Sequence, residues 1–142
     1  MQNSFFHSRV QSSYSFLESM LKIKDIIKIT KAQGMQSVAL TDNSNLFGAL
    51  EFNLEAVKNG IKPINGVLLK VLIGDNFYEV TLLAQNATGY QNLIKLVSYI
   101  YILNSQQIEK HITLEQLKQN NEGLILISHY IGGLVVPEDT LR

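Results

Sequence analysis

The chain has 142 residues, 46% of them hydrophobic and 17% charged, a length and balance that suit one globular domain and exclude a disordered segment. Twelve basic and twelve acidic side chains cancel, so no global field draws the chain to nucleic acid, and the lack of cysteine excludes disulfides and thiolate metal sites. The opening Met1-Gln2-Asn3-Ser4 lacks the cationic and apolar regions of a signal peptide, and no apolar run reaches the ~20 residues of a membrane helix, so a cytoplasmic protein without membrane contact is expected.

Residues 5–10 read as a first strand. Ile23, Ile26, Ile27 and Thr30 recur at helical spacing and predict an amphipathic helix over 21–33, ended by Gly34. Val38-Ala39-Leu40 follows as a short strand. A second helix is expected from about Leu46 to Gly60, with Phe47, Leu50, Leu54 and Val57 on one face, and Lys62-Pro63-Ile64 leads into the next strand. Residues 68–73 and 77–84 flank Gly74-Asp75-Asn76 and read as a hairpin. A third helix starts near Thr88, a candidate N-cap, with Leu93, Leu96, Val97, Ile100 and Tyr101 toward the core. Leu114 and Leu117 mark a short helix before Gly123. The run Leu124-Ile125-Leu126-Ile127 then has the continuous apolarity of a parallel strand buried on both faces. The repeated order of helix, glycine and strand predicts βα units. Strands near 5–10, 37–41, 64–71 and 124–128 should lie parallel in one sheet, interrupted by the hairpin, with the three long helices outside.

In α/β barrels, functional residues collect where strands end and βα loops begin. Two such places carry Phe6-His7-Ser8-Arg9-Val10-Gln11-Ser12-Ser13-Tyr14-Ser15 and Leu40-Thr41-Asp42-Asn43-Ser44-Asn45-Leu46-Phe47-Gly48. The pair resembles the opening motifs of the PHP (polymerase and histidinol phosphatase) domain, in the version at the N-terminus of bacterial DNA polymerase III alpha subunits. Ser12-Ser13-Tyr14-Ser15-Phe16-Leu17-Glu18, Gly60-Ile61-Lys62-Pro63-Ile64 and Glu122-Gly123-Leu124-Ile125 with Gly132-Gly133 are similar to further stretches of that family. Asn86-x-Thr88-Gly89-Tyr90-x-Asn92-Leu93-x-Lys95-Leu96-Val97-Ser98 resembles a signature of the polymerase branch and not of the phosphatases.

The resemblance implies an α/β fold, a distorted, TIM-like, seven-stranded (β/α) barrel with an inserted hairpin. Residues 1–142 would be its N-terminal portion, about half, without the polymerase palm. It also implies a metal centre built from His-x-His, Thr-Asp-His-Gly and Gly-x-Glu motifs, in which divalent cations clamp a phosphate and activate water. By that resemblance the ligand positions fall on Arg9, Gln11, Asn43 and Leu68. A guanidinium only donates hydrogen bonds, leucine offers no donor atom to a cation, and amides are weak ligands for transition metals. No catalytic residue, metal or other cofactor is therefore expected.

His7, Asp42 and His129 remain as residual site candidates. His7 reads as a packed strand histidine or a ligand, and Asp42 as a helix cap, a loop-fixing carboxylate or a site residue. His129 follows the fourth strand, where related phosphoesterases carry a ligand histidine. His111 reads as ordinary surface, and Lys24, Lys28 and Lys31 as the solvated side of the first helix. Arg9 is expected to replace the cation by pairing with Asp42 over the barrel mouth.

As a member of a nucleotidyltransferase family, such a segment is expected to be a non-catalytic structural module for DNA replication. Its partners would be the remainder of the alpha subunit and the proofreading exonuclease subunit, with DNA reached only through the holoenzyme. A metal-dependent phosphoesterase or 3′–5′ exonuclease, and a stand-alone interaction protein, stay open as alternatives.

Overall fold

Secondary structure follows the apolar periodicity closely at some elements and departs from it at others. The computed structural model describes residues 5–102 and 109–129, so the Gly132-Gly133 motif lies outside the described residues. Its elements are α1 (Ile23–Ala32), β1 (Ser37–Asn43), α2 (Ala49–Lys58), β2 (Lys62–Ile73), β3 (Asn76–Ala84), α3 (Ala87–Ile102), β4 (Ile112–Thr113), α4 (Leu114–Gln119) and β5 (Leu124–Ser128).

The strands form one mixed sheet in the order β1-β2-β3-β5, with β4 paired to the far end of β2. β1 runs parallel to β2, with Asn43 opposite Leu68. The chain turns through Gly74-Asp75 into antiparallel β3, and β5 pairs antiparallel to β3. β1, β2 and β5 therefore share one direction in one sheet, as the βα pattern predicts. β5 makes no parallel ladder, however, because the hairpin strand β3 occupies the place beside β2.

Residues 5–10 depart further from expectation. They form no strand, only an isolated parallel bridge between Val10 and Leu40. Ala39 N–H reaches His7 O at 3.0 Å, and Thr41 N–H reaches Val10 O at 2.8 Å. The acceptors stand three residues apart and the donors two, so an extra residue interrupts the ladder.

Two apolar clusters flank the sheet. α1 buries Ile23, Ile26, Ile27 and Thr30, the face its periodicity marks, and the Thr30 hydroxyl donates to Ile26 O at 2.8 Å. Gly34 takes φ +71° just past the helix while Met35 N–H returns to Thr30 O, a glycine-based C-terminal motif. These isoleucines pack with Val38, Leu40 and Phe52. The other cluster joins Val67, Leu69, Val80 and Leu82 to Leu93, Leu96 and Ile100 of α3.

α2 reverses a sequence expectation. Ala49, Phe52 and Ala56 form its buried face, while Phe47 just before it and Leu50, Leu54 and Val57 along it are exposed. Two small alanines allow close approach, and one phenylalanine fills the space between them and α1. The run 124–127 is likewise not buried on both sides. Ile125 and Leu126 are exposed, because β5 has only β3 beside it among the described residues. Within α3, Tyr101 also turns outward.

The start of α3 explains the 86–98 signature. Asn86, not Thr88, caps the helix: its Oδ1 accepts Gly89 N–H at 2.9 Å. Asn92 Nδ2 donates to Glu122 O at 2.9 Å, and Gln85 N–H donates to Gly123 O at 2.8 Å. The motif therefore clamps the turn that launches β5. An added Cβ on Gly89 would stand 1.9 Å from Gly123 O, so only glycine permits this approach.

Candidate functional site

β1 ends at Asp42-Asn43, and the loop between Val10 and α1 folds over that end. Asp42 is 2% exposed. Its Oδ1 accepts Ser12 N–H and the Ser15 hydroxyl, each at 2.7 Å, and its Oδ2 accepts the Ser12 hydroxyl at 2.8 Å. A buried carboxylate needs such donors, and bonds to an ionised acceptor are stronger than neutral ones. Ser15 Oγ also accepts Asn43 N–H at 3.0 Å. Asp42 is thus a loop-fixing carboxylate, not a cap for α2.

The expected Arg9–Asp42 pair does not form. Arg9 is exposed, and its Nη1 lies 2.8 Å from Nδ1 of His129. The physical reason is competition: short serine hydroxyls reach the buried carboxylate without ordering a long arginine side chain. Because a guanidinium only donates, His129 Nδ1 must accept, which places the neutral ring's proton on Nε2. That nitrogen is 3.0 Å from Thr81 Oγ1, which can receive it. Burial first, and the Arg9 charge second, lower the His129 pKa below its usual 6.5, against a smaller opposing effect of Glu79.

Gln11 and Asn43 converge on a residue that was not singled out from sequence. Glu18 Oε2 accepts the Gln11 amide at 3.1 Å, and its Oε1 accepts the Asn43 amide at 2.7 Å. The signal was available, since Glu18 is the acidic end of the 12–18 motif. Leu68 is buried and contributes its backbone, accepting Ser44 N–H at 2.8 Å. His7 sets its ring edge-on to Phe5, with centroids 5.0 Å apart. His111 is buried rather than superficial, stacked at a tilt on Phe77 with Nδ1 2.8 Å from Glu109 O.

Beside Glu18 and Asn43 opens a cleft of about 470 Å³, lined also by Tyr14, Phe47, Tyr101 and Lys110. Lys70 and Glu109 form an ion pair on its wall, and the lysine's hydrogen bond and charge hold the Glu109 carboxyl below its ordinary range. The Lys110 ammonium sits 4.5 Å from the Tyr101 ring centroid. Tyr14 donates to Glu51 at 3.1 Å, and that acceptor raises the phenol's pKa.

These residues do not fit a divalent cation. Asp42 is engaged by three donors, both His129 nitrogens have partners, and the Gln11 and Asn43 amides are committed to Glu18. Among the described residues no group of three or more His, Asp or Glu side chains converges as a metal site.

A sequence model of the PHP domain matches residues 7–137. The DNA polymerase III subunit alpha of Rickettsia bellii is 45% identical over 136 residues, covering 95% of this chain and 12% of that protein. The corresponding subunit of Borreliella burgdorferi is 42% identical over 145 residues, covering 94% of this chain and 13% of that protein. The chain therefore spans about an eighth of the length of these relatives. Among solved structures, a candidate metal-dependent phosphoesterase from Bifidobacterium adolescentis matches with a TM-score of 0.52 at 12% identity, over 81% of this chain and 39% of that one. That likeness concerns the fold alone.

Proposed function

The chain belongs to the PHP domain family, and from that premise we propose that it is the PHP segment of a bacterial replicative DNA polymerase III alpha subunit, acting as a non-catalytic structural module. The observation that carries this reading is the use made of the ligand positions. Gln11 and Asn43 hold the Glu18 carboxylate, and Arg9 holds His129. Side chains placed where family members hold cations instead tie the first loop to β1 and to the end of β5. The site's worth lies in loop geometry, not in turnover.

In the same reading, residues 1–142 are the N-terminal portion of a seven-stranded barrel. The shared direction of β1, β2 and β5 supports this. The module docks on the remainder of the alpha subunit and on the proofreading exonuclease, works in the cytoplasm, and meets DNA only through the assembled polymerase. No helix among the described residues is long and apolar enough to cross a membrane.

The test is hydrolysis of a 3′-labelled single-stranded oligonucleotide by the purified chain with manganese, magnesium or zinc. No release of label above the buffer rate is expected. Metal-dependent release that survives further purification would replace this reading with a phosphoesterase or exonuclease.

A further inference from the structure

The loop between Val10 and α1 is built in two layers. On the inner side Ser12 and Ser15 hold Asp42, Glu18 meets Gln11 and Asn43, and Ser19 Oγ donates to Gln11 O at 2.9 Å. Ser13 N–H closes the base of the loop on Leu21 O at 2.8 Å. On the outer side Phe16, Leu17 and Met20 are 83%, 92% and 95% exposed, the highest values of any large hydrophobic side chain among the described residues. Leu17 takes φ +65°, which is unfavourable for a bulky residue and persists only where neighbouring bonds over-determine it. Glu18 and Ser19 N–H groups, both directed at Ser15 O, supply that constraint.

A loop pinned from beneath that presents three apolar side chains has little conformational freedom left to lose on association. Phe16 also lines the cleft, where Phe47 and Tyr101 add apolar surface among mainly polar neighbours. On the cleft rim, the Lys110 ammonium faces Tyr101 and has no ion-pair partner among the described residues. The complementary surface is an apolar pocket with a carboxylate on its edge.

We infer that Phe16, Leu17 and Met20 form a preformed knob that seats in an apolar, acid-rimmed pocket on the remainder of a polymerase III alpha chain. The inference rests on the structural-module reading above and names its docking surface. The occupant follows from length: in the relatives the matched segment is about an eighth of the chain, so the other seven-eighths are tethered beside it at high effective concentration.

The experiment replaces the matched segment of the Rickettsia bellii subunit with this chain. It compares the full-length chimera with one carrying Phe16→Ser, Leu17→Asn and Met20→Ser, asparagine being chosen because it tolerates a left-handed backbone. Limited proteolysis within the grafted segment should speed up by about tenfold in the triple variant, as for loss of a central apolar anchor. Lys110→Glu should act in the same direction by about threefold. The same triple variant in the isolated chain should leave the melting temperature unchanged, since these side chains face solvent.

Unchanged protection in the chimera would overturn the inference. So would a lowered melting temperature of the isolated chain, which would make the knob part of its own fold. A wild-type dimer of the isolated chain that the variant dissolves would overturn it in favour of a second copy. Loss of exonuclease-subunit binding with unchanged protection would overturn it in favour of that partner. Nuclease turnover would sink the module reading while leaving protease protection where it was, so the two failures are distinguishable.

Discussion

The Asn43 amide donates to Glu18 Oε1 at 2.7 Å, joining the end of β1 to the loop that crosses it. With the Gln11 amide on Oε2, one exposed carboxylate is held between two positions that the motif resemblance assigns to ligand histidines. Two neutral amides thus meet one anion.

Asp42 should matter more to stability than Glu18. Asp42→Ala leaves three donors buried without an acceptor and should cost about 2–4 kcal/mol in chemical denaturation. Asp42→Asn should recover much of that loss, because its amide oxygen keeps the Ser12 N–H and the Ser15 hydroxyl while its Nδ2 faces only the Ser12 hydroxyl, which can accept. Glu18→Ala, at an exposed position, should cost only about 0.5–1 kcal/mol.

Arg9→Ala should cost less than about 1 kcal/mol, since Arg9 is exposed and its partner is His129, not Asp42. A larger loss, equalled by Asp42→Ala and non-additive with it in a double-mutant cycle, would restore the Arg9–Asp42 pair.

His129 sets a pH dependence. Its folded pKa lies below the ordinary 6.5, so the unfolded chain takes up the proton first as pH falls. This contribution to stability is fully present above pH 6.5, declines as pH drops below it, and levels off below the folded pKa. An NMR titration of the imidazole should show the depressed value, and Arg9→Ala should move it part of the way back.

Gly89→Ala should destabilise by about 1–3 kcal/mol despite the higher helix propensity of alanine, because the new methyl collides with the Gly123 carbonyl. A variant as stable as the wild type would show that the turn before β5 can retreat.

On α2, Phe52→Ala should cost about 3–5 kcal/mol and Leu54→Ala less than about 0.5 kcal/mol in the isolated chain. Equal losses would return Leu54 to a buried face.

That contrast shows where the sequence was legible. α1 was readable because its apolar residues are the ones it buries. α2 was not, because an apolar stripe marks a face without saying what covers it, and alanine hides a contact face from periodicity. Thr88 has the residue type of a cap, but it lies inside the helix, whereas Asn86 stands one residue before the first helical residue and accepts Gly89 N–H. The place of the site was legible from Asp42 and the 7–15 motif. Its wiring was not, since choosing among Arg9, Ser12 and Ser15 for one carboxylate depends on burial and reach.

The proposed exchange is of a family cation site for protein-to-protein hydrogen bonds. It is tested most directly by metal analysis of the purified chain after incubation with zinc, manganese and magnesium and exhaustive dialysis. No stoichiometric metal should be retained. One or more equivalents retained by the wild type and lost in an Asp42→Ala, His129→Ala double variant would contradict it.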